Sequence, residues 1–244
     1  MLQFMIKIIK PYIVVESSID GIASLKSIEK IARVCYKSED KITDDSYKAF
    51  IKKILDSGHH SVLEHIQISV RVTCDRGISH ELVRHRIASY TQESTRYCNY
   101  KNIITFILPK WFYYFVDEHV VSHDYDFYDY LNTVVQNIKI LSEKKTKNAL
   151  CLIFWFDCMH YIDYCYNSLI LNEQSPQQAR SVLPHSLATQ IIMTMNLREW
   201  KHFFELRTNK CAHPQMVEIA SMILFEFKRL IPIIFDDIKV ENIL

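Results

Sequence analysis

Ile66-Gln67-Ile68-Ser69-Val70-Arg71-Val72-Thr73 alternates apolar and polar residues one for one, and Asp75-Arg76-Gly77 and then Ile78-Ser79-His80-Glu81-Leu82-Val83 follow it. Strict alternation is the period of a half-buried strand. Asp75-Arg76-Gly77 reads as a turn, and Ile78, Leu82 and Val83 suit one side of a short helix. Directly after this frame comes Arg84-His85-Arg86-Ile87-Ala88-Ser89-Tyr90-Thr91-Gln92-Glu93-Ser94-Thr95-Arg96-Tyr97. Three arginines and a histidine stand here among hydroxyl and amide groups. Guanidinium presents a planar, permanently charged fork that matches two phosphate or carboxylate oxygens, and neighbouring Ser, Thr and Gln add orienting hydrogen bonds. A solvated surface could also hold Arg-x-Arg, with little effect on stability. The mounting on strand, turn and helix argues instead for an anion-binding site.

Working outward, strands are expected over residues 6–9 and 13–15. An amphipathic helix follows near 22–36, with Ile28, Ile31, Ala32 and Cys35 on one face. A second helix is predicted over 44–57, capped by Asp44 or Thr43 and ended by Gly58. Phe106-Ile107-Leu108-Pro109 closes a short strand or turn, and an aromatic, acidic helical stretch runs from 111 to 141. Residues 142–147 are polar and basic and read as a solvated loop. After them come a helix around Cys151, a segment over 175–183, a strand over 189–195 and a closing helix over 217–230. The whole is an α+β fold, read as one domain over 1–244, with a small mixed or antiparallel sheet flanked by long helices.

Composition narrows the classes of function. The 244 residues are 49% hydrophobic and 23% charged, with a formal net charge of +1. Such a chain can bury a core, and it lacks the broad basic field that nucleic-acid binding draws on. Neither nucleic acid nor a membrane is expected as a partner. Seven cysteines without a Cys-x-x-Cys pair, and with no secretory signal, read as reduced thiols in the cytoplasm. Cys151, Cys158 and Cys165 recur every seven residues, which reads as a buried helical stripe rather than a metal cage. Residues 149–171 are apolar enough to suggest a membrane span, but Asp157, His160, Asp163 and Asn167 interrupt them, so a core helix is the better reading.

Only Gly21, Gly58 and Gly77 occur, so neither a Gly-x-Gly-x-x-Gly fingerprint nor a P-loop can be written, and any nucleotide must be held by side chains. A metal site is the rival for the histidines. His80 and His85 lie five apart, about 140° around a helix, where one-face binding needs four. His60 and Glu64 share a face, but two ligands do not make a site, and no metal is expected.

Arg84-His85-Arg86, seven further residues and then Ser94 with Arg96 resembles the signature of the flavin-dependent thymidylate synthases. Three further blocks agree: Gly58-His59-His60-Ser61-Val62-Leu63-Glu64-His65, Ala179-Arg180-Ser181-Val182-Leu183-Pro184, and Asn196-Leu197-Arg198 with Leu206-Arg207. The likeness extends from about residue 32 to 218. It implies an α+β fold and reductive methylation of dUMP to dTMP, with methylenetetrahydrofolate as carbon donor, NADPH as reductant and FAD as redox carrier. It also implies a homotetramer with active sites between subunits.

By the same resemblance, Glu81, Leu82, Val83, Arg84, Gln92, Glu93, Ser94, Thr95, Arg96, Arg180 and Arg207 correspond to the dUMP pocket. Leu82 and Val83, being apolar, would serve through backbone or packing. His59, Ser61, Glu64, Arg84, His85, Arg86, Gln92, Asn196, Leu197, Arg198 and His202 correspond to FAD contacts. Arg207 is the catalytic candidate, a cation against the uracil that stabilises developing negative charge. Ser94 is assigned to binding, since no adjacent base activates it as a nucleophile. Between Arg207 and Glu218 the chain departs from the family pattern, which leaves the roles of Cys211, His213 and Gln215 open. Two rival functions are a nucleotide-binding regulatory module without redox activity and a metal-dependent phosphohydrolase.

Overall fold

The computed structural model describes residues 5–116 and 143–239. In chain order it contains β1 (Met5–Ile9), β2 (Tyr12–Val15), α1 (Gly21–Val34), α2 (Ser46–Asp56), a 3-10 helix His60–His65, β3 (Gln67–Asp75), α3 (Arg76–Leu82), β4 (Ser89–Gln92), β5 (Ile103–Ile107) and a 3-10 helix Lys110–Phe115. After these come α4 (Glu143–Leu171), α5 (Pro176–Ala179), a 3-10 turn Arg180–Val182, β6 (Ala188–Asn196), α6 (Leu197–Arg207) and α7 (Pro214–Leu230). The expected α+β class holds, with the strands divided over two small sheets. One pairs β1 with β5, and the other has the order β2-β3-β6-β4.

The chain forms two compact units, one from residues up to 11, 73–80 and 92–190, the other from 12–72, 81–91 and 191 onward. In the first, β1 lies parallel to β5 in the register Met5↔Ile103 to Ile9↔Ile107. α4 covers this pair. Its Ala149, Leu152, Phe156, Met159 and Tyr166, spaced by three, four, three and seven, form the buried seam, packing with Ile8, Leu108, Phe112 and Phe115 at one end and with Ile104, Phe106 and Leu187 at the other.

In the second unit α1, α2, α6 and α7 supply the core. Trp200, Phe203, Phe204, Phe227 and Phe235 are all fully buried and meet edge to face or stacked. The Trp200 Nε1 donates to the Ile68 carbonyl at 3.1 Å, which fixes α6 to β3.

Several expectations need correction. Asp75-Arg76-Gly77 is no separate turn: β3 runs into α3 directly, and the Asp75 carboxylate accepts from the Ile78 amide at 2.7 Å, the work of an N-terminal cap. The buried face of α1 holds Leu25, Ile28 and Ala32 together with Glu29 and Arg33, while Ile31 is half-buried and Cys35 exposed. Arg33 donates to Glu29 at 2.7 and 2.9 Å, and the Ser46 hydroxyl donates to the same carboxylate. Two charges that satisfy each other can enter a core that hydropathy alone would deny them. Residues 143–147 are the first turn of α4, not a loop. The cysteine stripe exists, but Cys151 and Cys158 are exposed and Cys165 is half-buried. α4 is apolar on more than one side, and the stripe sits beside the buried seam. The helical stretch expected over 111–141 begins as the 3-10 helix, and its part from 117 on lies outside the described residues. α6 was not foreseen as an element.

The start of α1 has no room for a side chain, since a Cβ on Gly21 would lie 1.9 Å from the Leu230 carbonyl oxygen. Gly21→Ala is expected to lower stability by about 1–3 kcal/mol, the usual cost of overpacking. Urea denaturation reads this as a lower midpoint, and an unchanged midpoint would contradict it.

Candidate functional site

In the second unit the site is built on α6 and the loop after α3. Asn196 ends β6, and its side chain caps α6 by accepting from the Glu199 amide at 2.9 Å. With Trp200 turned into the core, Arg198, His202 and Glu205 share the outward face and line a cavity of about 520 Å³ with His60, Glu64, Ile87, Asn196, Glu199 and Lys201. A cavity of that size is in the range of small-molecule and cofactor sites. Four residues matched to FAD, namely Glu64, Asn196, Arg198 and His202, come together there. Arg198 donates to Glu64 at 2.5 Å. His202 is exposed rather than half-buried in the helix packing. The His59 Nδ1 meets the Tyr36 hydroxyl at 3.1 Å, and Ser61 is exposed.

The loop after α3 carries Arg84, His85 and Arg86. The Tyr90 hydroxyl lies 2.8 Å from the Leu82 carbonyl and 2.6 Å from that of His85, so its one proton clasps the loop. Burial pushes that phenol up to about 12. Arg84 and Arg86 point outward and are exposed; their guanidinium groups have no partner among the described residues. His85 between them turns inward and is 5% exposed. Its Nε2 accepts from Arg207 Nε at 3.0 Å, and its Nδ1 faces Glu199 Oε1 at 3.4 Å. Burial, with Arg207 and His202 nearby, lowers its pKa to about 4, so it is a neutral ring. Both nitrogens are engaged inside the protein, and so are its backbone amide and carbonyl. Arg207 also meets the Glu81 carboxylate and carbonyl, each at 3.5 Å.

Leu82 and Leu197 are fully buried. Neither presents surface to a ligand, and the Leu82 carbonyl accepts from the Tyr90 hydroxyl and the His85 amide. Val83 is exposed.

In the first unit, Gln92 donates to the Ser79 and Thr189 hydroxyls at 2.9 and 3.3 Å. Glu93 accepts from the Tyr100 hydroxyl at 2.5 Å. Ser94 opens a turn in which the Tyr97 and Cys98 amides bond to its carbonyl, and its hydroxyl accepts from the Arg96 amide at 3.3 Å. Arg180 donates to the buried Thr95 hydroxyl at 3.3 Å, and Arg96 to Gln177 at 2.9 Å. Gln177 is held in α5, which a capping box between Ser175 and Gln178 begins. Among the described residues no carboxylate pairs with Arg96 or Arg180, and both are exposed. Two guanidinium groups aligned by neutral partners retain their charge for an anion.

The reading from sequence missed Glu199, Tyr90, Ser79, Thr189 and Gln177. A Glu within an amphipathic helix and a Tyr within a strand carry no signal of their own. His213 caps α7 by accepting from the Gln215 amide at 3.2 Å, and Gln215 is buried, so these two have a structural role. Among the described residues no helix is long and apolar enough to cross a membrane.

The Arg84–Arg86 loop presents two exposed guanidinium groups, and the outward face of α6 lines the cavity. Residues 19–233 match the family model described as thymidylate synthase complementing protein. The flavin-dependent thymidylate synthase of Pyrococcus abyssi is 33% identical over 216 residues, 84% of this chain and 75% of that protein. The one from Geobacter sulfurreducens is 32% identical over 213 residues, 84% of this chain and 78% of its own length. The chain belongs to this family, as the spacing of the four sequence blocks implied. Its fold also matches the crystal structure of the UMP/dUMP methylase PolB from Streptomyces cacaoi bound with 5-Br dUMP, with a TM-score of 0.66 at 22% identity, over 94% of this chain and 95% of that one.

The neutral state of His85 has a consequence for stability. An unfolded histidine titrates near 6.5, so between about pH 4 and 6.5 the unfolded chain binds the extra proton and stability rises with pH. Asp163, raised to about 6 by burial, acts with the opposite sign, so the contribution of His85 is read as a difference. Relative to His85→Phe, the protein is expected to lose about 2–3 kcal/mol more as pH falls from 7 to 4. Urea titrations of both proteins at several pH values measure this, and parallel curves would refute it.

Proposed function

We propose that the protein catalyses reductive methylation of dUMP to dTMP with FAD as the flavin, 5,10-methylenetetrahydrofolate as carbon donor and NADPH as reductant. Family membership supports a flavin-dependent methyltransferase acting on dUMP. The observation that carries the residue assignment is the two sets of exposed guanidinium groups, Arg84 with Arg86 and Arg96 with Arg180, that have no carboxylate partner among the described residues, in a chain without a glycine-rich phosphate loop.

Arg84 and Arg86, two residues apart and exposed, fit the diphosphate of FAD. His59, Ser61, Glu64, Asn196, Arg198 and His202 supply hydrogen bonds to the rest of it, and the cavity beside α6 has the room. When bound, the flavin carries the reducing equivalents of the reaction. Arg96 and Arg180 take the phosphate of dUMP, and Ser94, Thr95, Gln92 and Glu93 orient sugar and base. Ser94 acts as a binding group, since its hydroxyl accepts from the Arg96 amide and no base adjoins it among the described residues. Arg207 stands against the uracil, where a fixed cation stabilises negative charge that develops on the ring. Glu81 supports Arg207 through its carboxylate and carbonyl.

Assembly into a homotetramer, with sites between subunits, belongs to the same reading. α4 exposes Leu150, Phe154, Tyr161, Tyr164 and Leu171, with relative exposures from 41% to 68%. An apolar stripe of this kind is uncommon on a monomer. A cytoplasmic location fits the seven free thiols.

Visible absorption spectra of the purified protein, taken after FAD and then dUMP are added, test the proposal. Flavin bands that shift with dUMP are expected, and a protein that binds dUMP but no FAD would instead be a nucleotide-binding module. Arg180→Ala is expected to raise the dUMP KM about 30–100-fold, the loss of a charge-assisted contact, and steady-state kinetics measure it. Phe154→Asp is expected to lower the mass seen by analytical ultracentrifugation. An unchanged assembly would remove α4 from the interface.

A further inference from the structure

We propose that Glu199 and His85 form a positioning pair that fixes the guanidinium of Arg207 in one orientation through a relay of hydrogen bonds. The inference rests on the reading of Arg207 as the group facing the uracil. It reaches beyond that reading because neither residue needs to touch substrate to act.

The chemistry of the three groups determines the direction of the relay. Guanidinium has only donors, so the 3.0 Å contact from Arg207 Nε to His85 Nε2 requires an unprotonated Nε2. The ring proton then sits on Nδ1, facing Glu199 Oε1 at 3.4 Å. Glu199 thereby selects the tautomer that His85 must adopt to accept from Arg207. The His85 contact is the shortest one Arg207 makes, the two to Glu81 being 3.5 Å each. It uses Nε, at the base of the fork, and leaves the Nη groups directed elsewhere.

The surroundings hold the ring as firmly as the hydrogen bonds do. Phe203 of α6 packs edge on at 5.0 Å between centroids, and His202 stands 6.1 Å away. From the loop side, Tyr90 clasps the His85 carbonyl. The charged and titratable groups facing the imidazole are therefore Glu199, His202 and Arg207, with Glu81 beyond the guanidinium and Tyr90 at the backbone. Protonation of Nε2 would set two cations against each other at the position of the 3.0 Å contact and release Arg207. Burial, Arg207 and His202 together oppose that protonation.

The test uses the flavin-loaded enzyme and three variants. His85→Leu removes the acceptor, and its kcat is expected to fall about 100-fold, the scale of a small misplacement of a reacting group, while dUMP KM and the flavin spectrum change less than about twofold. His85→Gln, whose amide oxygen can reach the Nε2 position, is expected to recover kcat to within about tenfold of wild type. Glu199→Leu removes the acceptor that holds the ring proton on Nδ1 and is expected to lower kcat without altering KM. The pair is refuted if His85→Leu keeps wild-type kcat, or if it loses flavin and dUMP binding in step with kcat. If His85→Leu does not fold, Glu199→Leu decides, and full activity there refutes the relay. Nitrogen-15 NMR of labelled histidine reads the tautomer without any turnover: an Nδ1–H His85 that stays neutral from pH 5 to 8 is expected, with a mixture of tautomers in Glu199→Leu. If the tautomer is found while dUMP is not methylated, the assignment of function fails and the geometry stands. An Nε2–H ring in an active enzyme overturns the relay and leaves the function intact.

Discussion

The orientation of α6 rests on one buried indole. Trp200 is fully enclosed and donates to the Ile68 carbonyl, so its ring can lie only on the side of α6 that faces β3. Everything else on the helix follows from 100° per residue. Phe203 and Phe204 enter the same aromatic cluster, and Arg198, His202 and Glu205 are turned to the opposite face, along the cavity. Glu199 lies between these faces, within reach of His85. A buried N–H with a single acceptor costs free energy if the bond is lost, so helix rotation and ligand-facing residues are coupled.

A second constraint is the scarcity of glycine. Phosphate loops usually let backbone amides approach an anion closely, which glycine permits. Here the corresponding feature of the chain is two exposed arginines flanking one buried histidine. The Arg84 and His85 amides close a turn on the Glu81 and Leu82 carbonyls, and the Tyr90 hydroxyl holds that turn in place. The same three residues thus serve two purposes, the outer pair available to a ligand and the inner one bonded to Arg207 and Glu199.

The readability of each element in the sequence depended on whether its signal was local. β3 was legible because one face is buried and the other is not, so hydropathy alternates over its whole length. β6 and the end of α2 at Gly58, with its positive φ of 69°, were legible for similar reasons. α6 escaped because β6 passes into it at Asn196 without glycine or proline, and because its buried Glu199 and Lys201 blur the pattern. The Cys151 stripe had the right spacing and the wrong face, since periodicity gives a direction relative to the helix and not to the core. In the site, the arginines were legible by density. The burial of His85 was not, because a histidine between two arginines gives no hint of an acceptor arriving from residue 207.

The arginines split into two electrical classes. Arg84, Arg86, Arg96 and Arg180 project into water, where dissolved ions shorten the range of their field to about 8 Å at physiological salt. Arg207 lies against His85 and Glu81, where few ions can enter. Raising the ionic strength therefore weakens the field of the four exposed guanidinium groups more than it disturbs the contacts of Arg207, in a chain whose formal net charge is only +1.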